Sequence, residues 1–213
     1  MPSVEGYVSF QSDPDVIWDL YPTLTGRRAF DIGANGGAVA NILAREFAEV
    51  VAFEPHHTSF AEMHRSHHRG VTPVYAAISN RTGPVMLNVA TLADRLGEYV
   101  TGNSLPSSWG EQTGTVEIHA LSLPDAVREY GEPDFIKIDT EGHEWAIIRG
   151  GAAWLNRHKP RLLIEVHDES QGMKIHSALG AYSFTRVDHP AYLAIGAREM
   201  ARNHYWLHWL GDR

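Results

Sequence analysis

The chain of 213 residues contains no cysteine, so disulfides, thiolate zinc sites and cysteine nucleophiles are all excluded. No stretch approaches the ~20 apolar residues that span a bilayer. Residues 1–6 hold a glutamate and no basic cluster, and no apolar run of signal-peptide type follows. Positive charge is also scarce: 18 Lys and Arg against 26 Asp and Glu give a formal −8 with His neutral. That balance is wrong for a surface that neutralises phosphates. These absences lead to the expectation of a cytoplasmic protein with no membrane and no nucleic-acid partner.

What is present suits a folded, globular chain. Hydrophobic residues are 43% and charged residues 21%, close to globular averages and enough for a sizeable core. The length fits one domain over residues 1–213. Within it, residues 1–27 read as an N-terminal helical extension and 80–120 as inserted strands with a substrate loop. No repeat, low-complexity tract or linker divides the chain.

Short apolar runs alternate with helical patterns, the rhythm of a parallel sheet wrapped by helices. Strands are expected at 29–32, 50–53, 74–78, 135–138 and 162–166, with additional ones at 85–89 and 116–120. After Gly37, the residues Val39, Ile42, Leu43 and Phe47 recur at helical spacing. Further helices are expected at 60–69 and at 123–130, where Pro124 sits in the first turn. Residues 182–187 and 205–210 read as a closing antiparallel hairpin, and 102–114 as a polar, turn-rich loop.

The segment Asp31-Ile32-Gly33-Ala34-Asn35-Gly36-Gly37 falls where a strand turns into a helix, and Glu54 follows Gly33 by 21 residues. In a doubly wound sheet the two strand ends meet beside the ligand crevice. Glycine there admits unusual backbone angles and close approach of a ligand. A carboxylate at that spacing accepts hydrogen bonds from both hydroxyls of a ribose, so a nucleoside cofactor is indicated. The dinucleotide pattern fails because Asn35 stands in place of its second glycine, and no Walker lysine is present. Asp31 would repel a phosphate but suits the sulfonium and ammonium groups of S-adenosylmethionine. The positions expected to bind that cofactor are Asp31, Gly33, Asn35, Gly37, Glu54, Pro55, Ala77 and Asp139.

A second constellation, Asp139-Thr140-Glu141-Gly142-His143-Glu144, follows the fourth main strand. Read as a capped helix start, Asp139 or Thr140 is the cap while Glu141 and Glu144 face the helix dipole. It nevertheless holds more ionisable groups than a connection requires. The next strand ends in Glu165-Val166-His167. A glutamate in such an apolar run is costly to bury unless a cation or donor meets it, and strand alternation puts Glu165 and His167 on one face.

These blocks resemble the FkbM-type family of S-adenosylmethionine-dependent methyltransferases. The resemblance is carried by residues 30–37 with Phe53-Glu54-Pro55, by 135–144, by Arg149-Gly150 and by Glu165-Val166-His167. It implies an α/β, Rossmann-like class I methyltransferase fold: a seven-stranded, mostly parallel sheet of order 3-2-1-4-5-7-6, strand 7 antiparallel, with helices on both faces. It also implies methylation of hydroxyls on sugars or natural products. Within the family the chain is similar to actinobacterial sugar 1-O-methyltransferases of methylmannose polysaccharide assembly. One departure is Ser122, where relatives often carry an acid.

A sugar hydroxyl is a poor nucleophile, and two devices could activate it. A histidine can take its proton, and His143 and His167 are the candidates, with His143 preferred. A divalent metal can lower its pKa, and Asp139 and Glu165 are hard oxygen ligands suited to Mg2+. The rival arrangement has both acids hydrogen-bonded to Lys137 and backbone donors without an ion. Asn103, Ser104, Trp109 and Glu141 are the expected substrate contacts, with Trp109 equally readable as an anchor that pins the loop to the core. His64, His67 and His68 read as a solvated helical face, and His56 and His57 as loop lining near the ribose. Trp145 and Trp154 read as core; Tyr205, Trp206 and Trp209 read as core or as the surface of a homodimer. The competing functions are a nucleic-acid methyltransferase, which the charge disfavours, a non-catalytic nucleotide-sensing domain, and a nicotinamide oxidoreductase.

Overall fold

The computed structural model describes residues 24–89, 114–188, 205–209 and 211. The run Ala29-Phe30-Asp31-Ile32 lies at the centre of the sheet because each of its faces is covered. Phe30 and Ile32 pack into one buried cluster, while Ala29 packs into the other. The strand containing them, β1 (Gly26–Ile32), is flanked in parallel by β2 (Phe47–Phe53) and β7 (Phe135–Ile138). Beyond these lie β3 (Val71–Val74) on one side, and β8 (Arg161–Val166), β10 (Tyr205–Trp209) and β9 (Thr185–Asp188) on the other.

The seven-stranded order is therefore β3-β2-β1-β7-β8-β10-β9. Only β10 runs against the direction of the other six strands, which is the expected 3-2-1-4-5-7-6 arrangement. Helices α1 (Ala38–Leu43) and α2 (His57–Ser66) cover one face through Val39, Ala40, Leu43 and Met63. Helices α3 (Leu123–Tyr130), α4 (Glu144–His158) and α5 (Glu169–Ala178) cover the other through Leu123, Ile147, Leu155 and Ile175. No helix among the described residues is long and apolar enough to cross a membrane.

A second, three-stranded sheet has the order β4-β6-β5, formed by β4 (Ala77–Ser79), β5 (Gly83–Val89) and β6 (Gly114–Ser122). This corrects the single strand expected over 74–78. The Ala76 N–H donates to the Val74 carbonyl at 3.0 Å, a γ-turn that ends β3 and starts the chain into another sheet. Phe47 is corrected as well. Helix α1 stops at Leu43, and Phe47 opens β2 with its ring stacked 5.9 Å from that of Phe135. Helix α2 spans His57–Ser66 instead of 60–69. β1 begins inside the expected N-terminal extension, whose residues 1–23 lie outside the described ones, as does most of the expected 102–114 loop.

The aromatic residues near the end of the chain are core. Tyr205, Trp206 and Trp209 are all buried, with Tyr205 and Trp209 on one face of the sheet and Trp206 on the other. Trp145 and Trp154 pack at the edge of the first cluster. Ser122 caps α3 by accepting the Asp125 N–H at 3.2 Å, which gives a plain structural use to the position where relatives often carry an acid.

Candidate active site

Strand register builds the site. Asp31 on β1 pairs with Lys137 on β7, and both side chains are buried on the same face. A lysine inside an apolar strand must find anions. The Lys137 Nζ lies 3.5 Å from Asp31 Oδ1, 3.1 Å from Asp139 Oδ2 and 3.2 Å from the Gly33 carbonyl. Burial pushes the Asp31 carboxyl up despite that cation. Asp139 shows the opposite outcome. Burial opposes its charge, but Lys137 and His167 hold it at about 2. Asp31 itself is fully buried, with Lys137 as its nearest cation.

The turn after β1 is shaped by the strand beside it. Gly33 has φ +80, and an added Cβ would fall inside the van der Waals shell of the Asp139 carbonyl oxygen. The close approach that requires glycine here is thus the end of β7 itself. Asn35 adopts φ 48, a left-handed conformation that asparagine tolerates, and Gly37 caps α1 at φ 87. Glu54, at the end of β2, is buried and accepts the Asn35 and His56 N–H groups, both at 2.8 Å. Burial raises it to about 7, with those two N–H groups opposing the rise.

Around this corner, Pro55 is partly buried. His56 is buried and caps α2, its Nδ1 accepting the Ser59 N–H at 3.4 Å. His57 is exposed, its ring against Tyr75. Ala77 packs its methyl into the small sheet's core with Leu87, Ile118 and Ala120, so its side chain is committed there. His64, His67 and His68 are exposed, as a solvated face requires, although the helix ends before His67.

The expected chemical residues divide into two groups. The first surrounds His167, which is buried. Its Nδ1 lies 3.1 Å from Glu144 Oε1, and its Nε2 lies 3.5 Å from Glu141 Oε2 and 3.8 Å from Asp139 Oδ1. Burial alone would lower its pKa, but the Glu144, Glu141 and Asp139 carboxylates raise it to about 10. Glu165 is buried at the end of β8 and shares a side-chain hydrogen bond with Asp139. Glu165 and His167 therefore do converge, on Asp139. Glu141, at φ 53, is raised to about 7 by burial, and its side chain keeps 33% exposure.

The second group is His143 with Ser79. The His143 ring reaches across to β4, its Nε2 lying 2.9 Å from Ser79 Oγ. Burial lowers His143 to about 4, so the ring is neutral at pH 7. Asn103, Ser104 and Trp109 lie outside the described residues.

Three residues were missed as site members. For Lys137 the sequence does hold a signal, a lysine between two isoleucines and followed by a strand-end acid. Glu144 was read as a first-turn acid facing the helix dipole. In fact it is wholly buried, and its Oε1 accepts Thr140 N, Thr140 Oγ1 and Gly142 N at 2.9, 3.1 and 3.1 Å. Ser79 carries no local signal, because its partner is 64 residues away.

A metal site was expected at Asp139 and Glu165. Among the described residues, the cluster whose ligand atoms come within 4.8 Å of one another is instead Asp139, Glu144 and His167. Glu144 Oε2 is buried without a partner among these residues, an atom that a cation would satisfy. Two carboxylates and an imidazole form a donor set closer to that of a first-row transition ion than to the all-oxygen shell of magnesium. Any such ion must displace the proton that makes His167 a cation.

The model of the family described as the methyltransferase FkbM domain matches residues 31–192. The hexuronic acid methyltransferase AglP of Haloferax volcanii is 27% identical over 143 residues, 65% of this chain and 50% of that protein. Among solved structures, a methyltransferase FkbM from Methylobacillus flagellatus superposes with a TM-score of 0.58 at 15% identity, covering 92% of this chain and 48% of that one. A precorrin-6y C5,15-methyltransferase from Geobacter metallireducens gives 0.51 at 12% identity, covering 98% and 93%. The chain thus spans about half the length of AglP and of the M. flagellatus protein. At these identities the superpositions speak for the fold alone.

Proposed function

Because the chain belongs to the FkbM methyltransferase family, we propose that it transfers the methyl group of S-adenosylmethionine to a hydroxyl of a sugar or oligosaccharide. The observation that carries the reading is the meeting of Gly33, Glu54 and Asp139 at the ends of three adjacent parallel strands, where nucleoside ligands bind in such sheets. Glu54 fits the cofactor's ribose. Each of its oxygens accepts one backbone N–H and retains a lone pair for a hydroxyl. When bound, the cofactor supplies an electrophilic methyl carbon on a positively charged sulfur.

The acceptor assignment follows AglP, whose name specifies a hexuronic acid. His143 is the base in this reading. Its ring is partly exposed and neutral, whereas both nitrogens of His167 are enclosed by carboxylates. His167 and Lys137 then serve as fixed cations that hold Asp139 and Glu141 in place, and Glu141 is exposed enough to bond an acceptor hydroxyl. If His167 instead gives up its proton, a divalent ion, magnesium or a transition metal, would be held in its place by Asp139, Glu144 and His167, with Glu165 bonded to Asp139 behind them. It would lower the pKa of the acceptor hydroxyl.

Calorimetric titration with S-adenosylhomocysteine tests the cofactor, and selective binding that is lost in Glu54→Ala is expected. Screening sugars, hexuronic acids and 1-hydroxyl methylmannosides for methyl transfer tests the acceptor. His143→Ala should slow turnover by about 10²- to 10⁴-fold; a near-normal rate removes His143 as the base. Turnover that survives excess EDTA after dialysis removes the metal.

Binding should also depend on pH. In the free protein Glu54 holds a proton below about pH 7, and ribose hydroxyls favour its ionised form. Binding therefore releases a proton and tightens as pH rises toward neutrality, by at most about tenfold per unit. In Glu54→Gln this dependence should vanish. A flat profile in the unsubstituted protein would remove Glu54 from the ribose site.

A further inference from the structure

The Ser79–His143 contact ties the small sheet to the turn after β7 and stands apart from the carboxylate network. Ser79 is buried, at 1% exposure. Its Oγ lies 2.9 Å from His143 Nε2 and 3.3 Å from Asn80 Oδ1. A hydroxyl has one proton to give. With the Asn80 side-chain oxygen turned to Ser79, the serine proton goes to Asn80 and the Oγ lone pair faces Nε2. That nitrogen must then carry a hydrogen, and the lone pair of the neutral ring falls on Nδ1. Among the described residues the ring's hydrogen bond is the one at Nε2.

Asn80 itself is held by close packing. Helix α4 passes it at Gly150, where an added Cβ would come within 2.5 Å of Asn80 Cα and 2.8 Å of its carbonyl oxygen. These contacts fix the Asn80 backbone, from which the side-chain amide reaches Ser79.

We propose that Ser79 is a positioning residue for His143, holding the ring in the Nε2–H tautomer so that Nδ1 is the atom that takes the acceptor's proton. The catalytic half of this rests on the reading of His143 as the base; the tautomer half stands on the geometry alone. In the step served, the hydroxyl proton passes to Nδ1 while its oxygen bonds the methyl carbon. The carbon–sulfur bond breaks with its electron pair staying on sulfur, so the sulfonium leaves as a neutral thioether. The imidazolium then returns its proton to water.

The test is 15N NMR of the full chain labelled at histidine, with the His143 signals identified by their loss in His143→Gln. At pH 7 the expected spectrum has a protonated Nε2 and an unprotonated Nδ1. Ser79→Ala should mix the tautomers and slow kcat about tenfold, the rate equivalent of one hydrogen bond, with KM unchanged. Ser79→Thr should restore both. If Ser79→Ala does not fold, Asn80→Ala is the second variant: it frees the serine proton for Nε2 and should shift the ring toward Nδ1–H. A protonated Nδ1 in the unsubstituted protein, or a tautomer indifferent to both substitutions, overturns the role of Ser79. Normal methyl transfer by His143→Ala overturns instead the assignment of the base, with the spectrum unaffected.

Discussion

Replacing Glu144 by alanine is expected to cost about 3–5 kcal/mol of folding free energy, read from the urea midpoint. The side chain is fully buried and organises the whole turn after β7. One of its oxygens accepts two backbone N–H groups and the Thr140 hydroxyl, and it pairs with the His167 ring. Alanine removes the common partner of all four. Three donors lose their acceptor, and a buried imidazolium loses its nearest counter-charge. Glutamine keeps the shape and part of the bonding, so it should fall between alanine and the native residue.

The same variant should change how stability depends on pH. The carboxylates raise His167 from 6.5 to about 10. Its stabilising contribution is therefore complete below pH 6.5 and is lost as pH rises through about 10. The native protein should weaken over that interval, and Glu144→Ala should weaken less. An alanine variant within about 0.5 kcal/mol of native, the range of an ordinary surface change, would show that Glu144 does not hold the turn.

Gly33→Ala is the second large effect. Two costs add: a left-handed backbone, about 1–2 kcal/mol for an L-residue, and a Cβ driven into the main chain of Asp139. The added carbon would sit 2.8 Å from the Asp139 carbonyl carbon, and backbone cannot swing aside as a side chain can. Relief requires β1 and β7 to part where Lys137 binds the Gly33 carbonyl, so cofactor binding should fail together with stability. Gly36→Ala, only three residues along the chain, is the control. Its added Cβ would meet the flexible Glu62 carboxylate at 3.2 Å, and a change below about 1 kcal/mol is expected. Equal losses in both variants, measured by thermal melts and S-adenosylhomocysteine titration, would sink the argument.

Much of the sheet could be read directly from the chain. Strands β7 and β8 announce themselves as apolar runs because both of their faces are covered, and the corner between β1 and β2 because a glycine turn and a carboxylate stand at a telling spacing. What escaped was decided by partners distant in sequence. The apolar run 74–78 is continuous in composition, yet it is cut by one hydrogen bond from Ala76 to Val74. Phe47 extends the helical spacing of Val39 and Leu43, but its ring belongs against Phe135, 88 positions on. In the site, Asp139 and His167 stand out as strand-end residues. Glu144 looked like any first-turn acid, since nothing local shows that its side chain turns inward to meet His167. Ser79 had no signal at all. Side chains that organise a site from within are those whose meaning depends most on the assembled fold.

The position of β10 has a consequence for how the molecule is made. Among the strands of the main sheet it is the last to leave the ribosome, yet it is seated between β8 and β9. Until it emerges, β8 presents an open edge and β9 has no neighbour in the sheet, the exposed condition that invites pairing between chains. The nascent chain can close β3-β2-β1-β7-β8 early, but Tyr205, Trp206 and Trp209 must then enter from opposite sides of an already twisted sheet. Completion of the sheet thus waits on β10, and until then the β8 edge is the place where a second chain could pair.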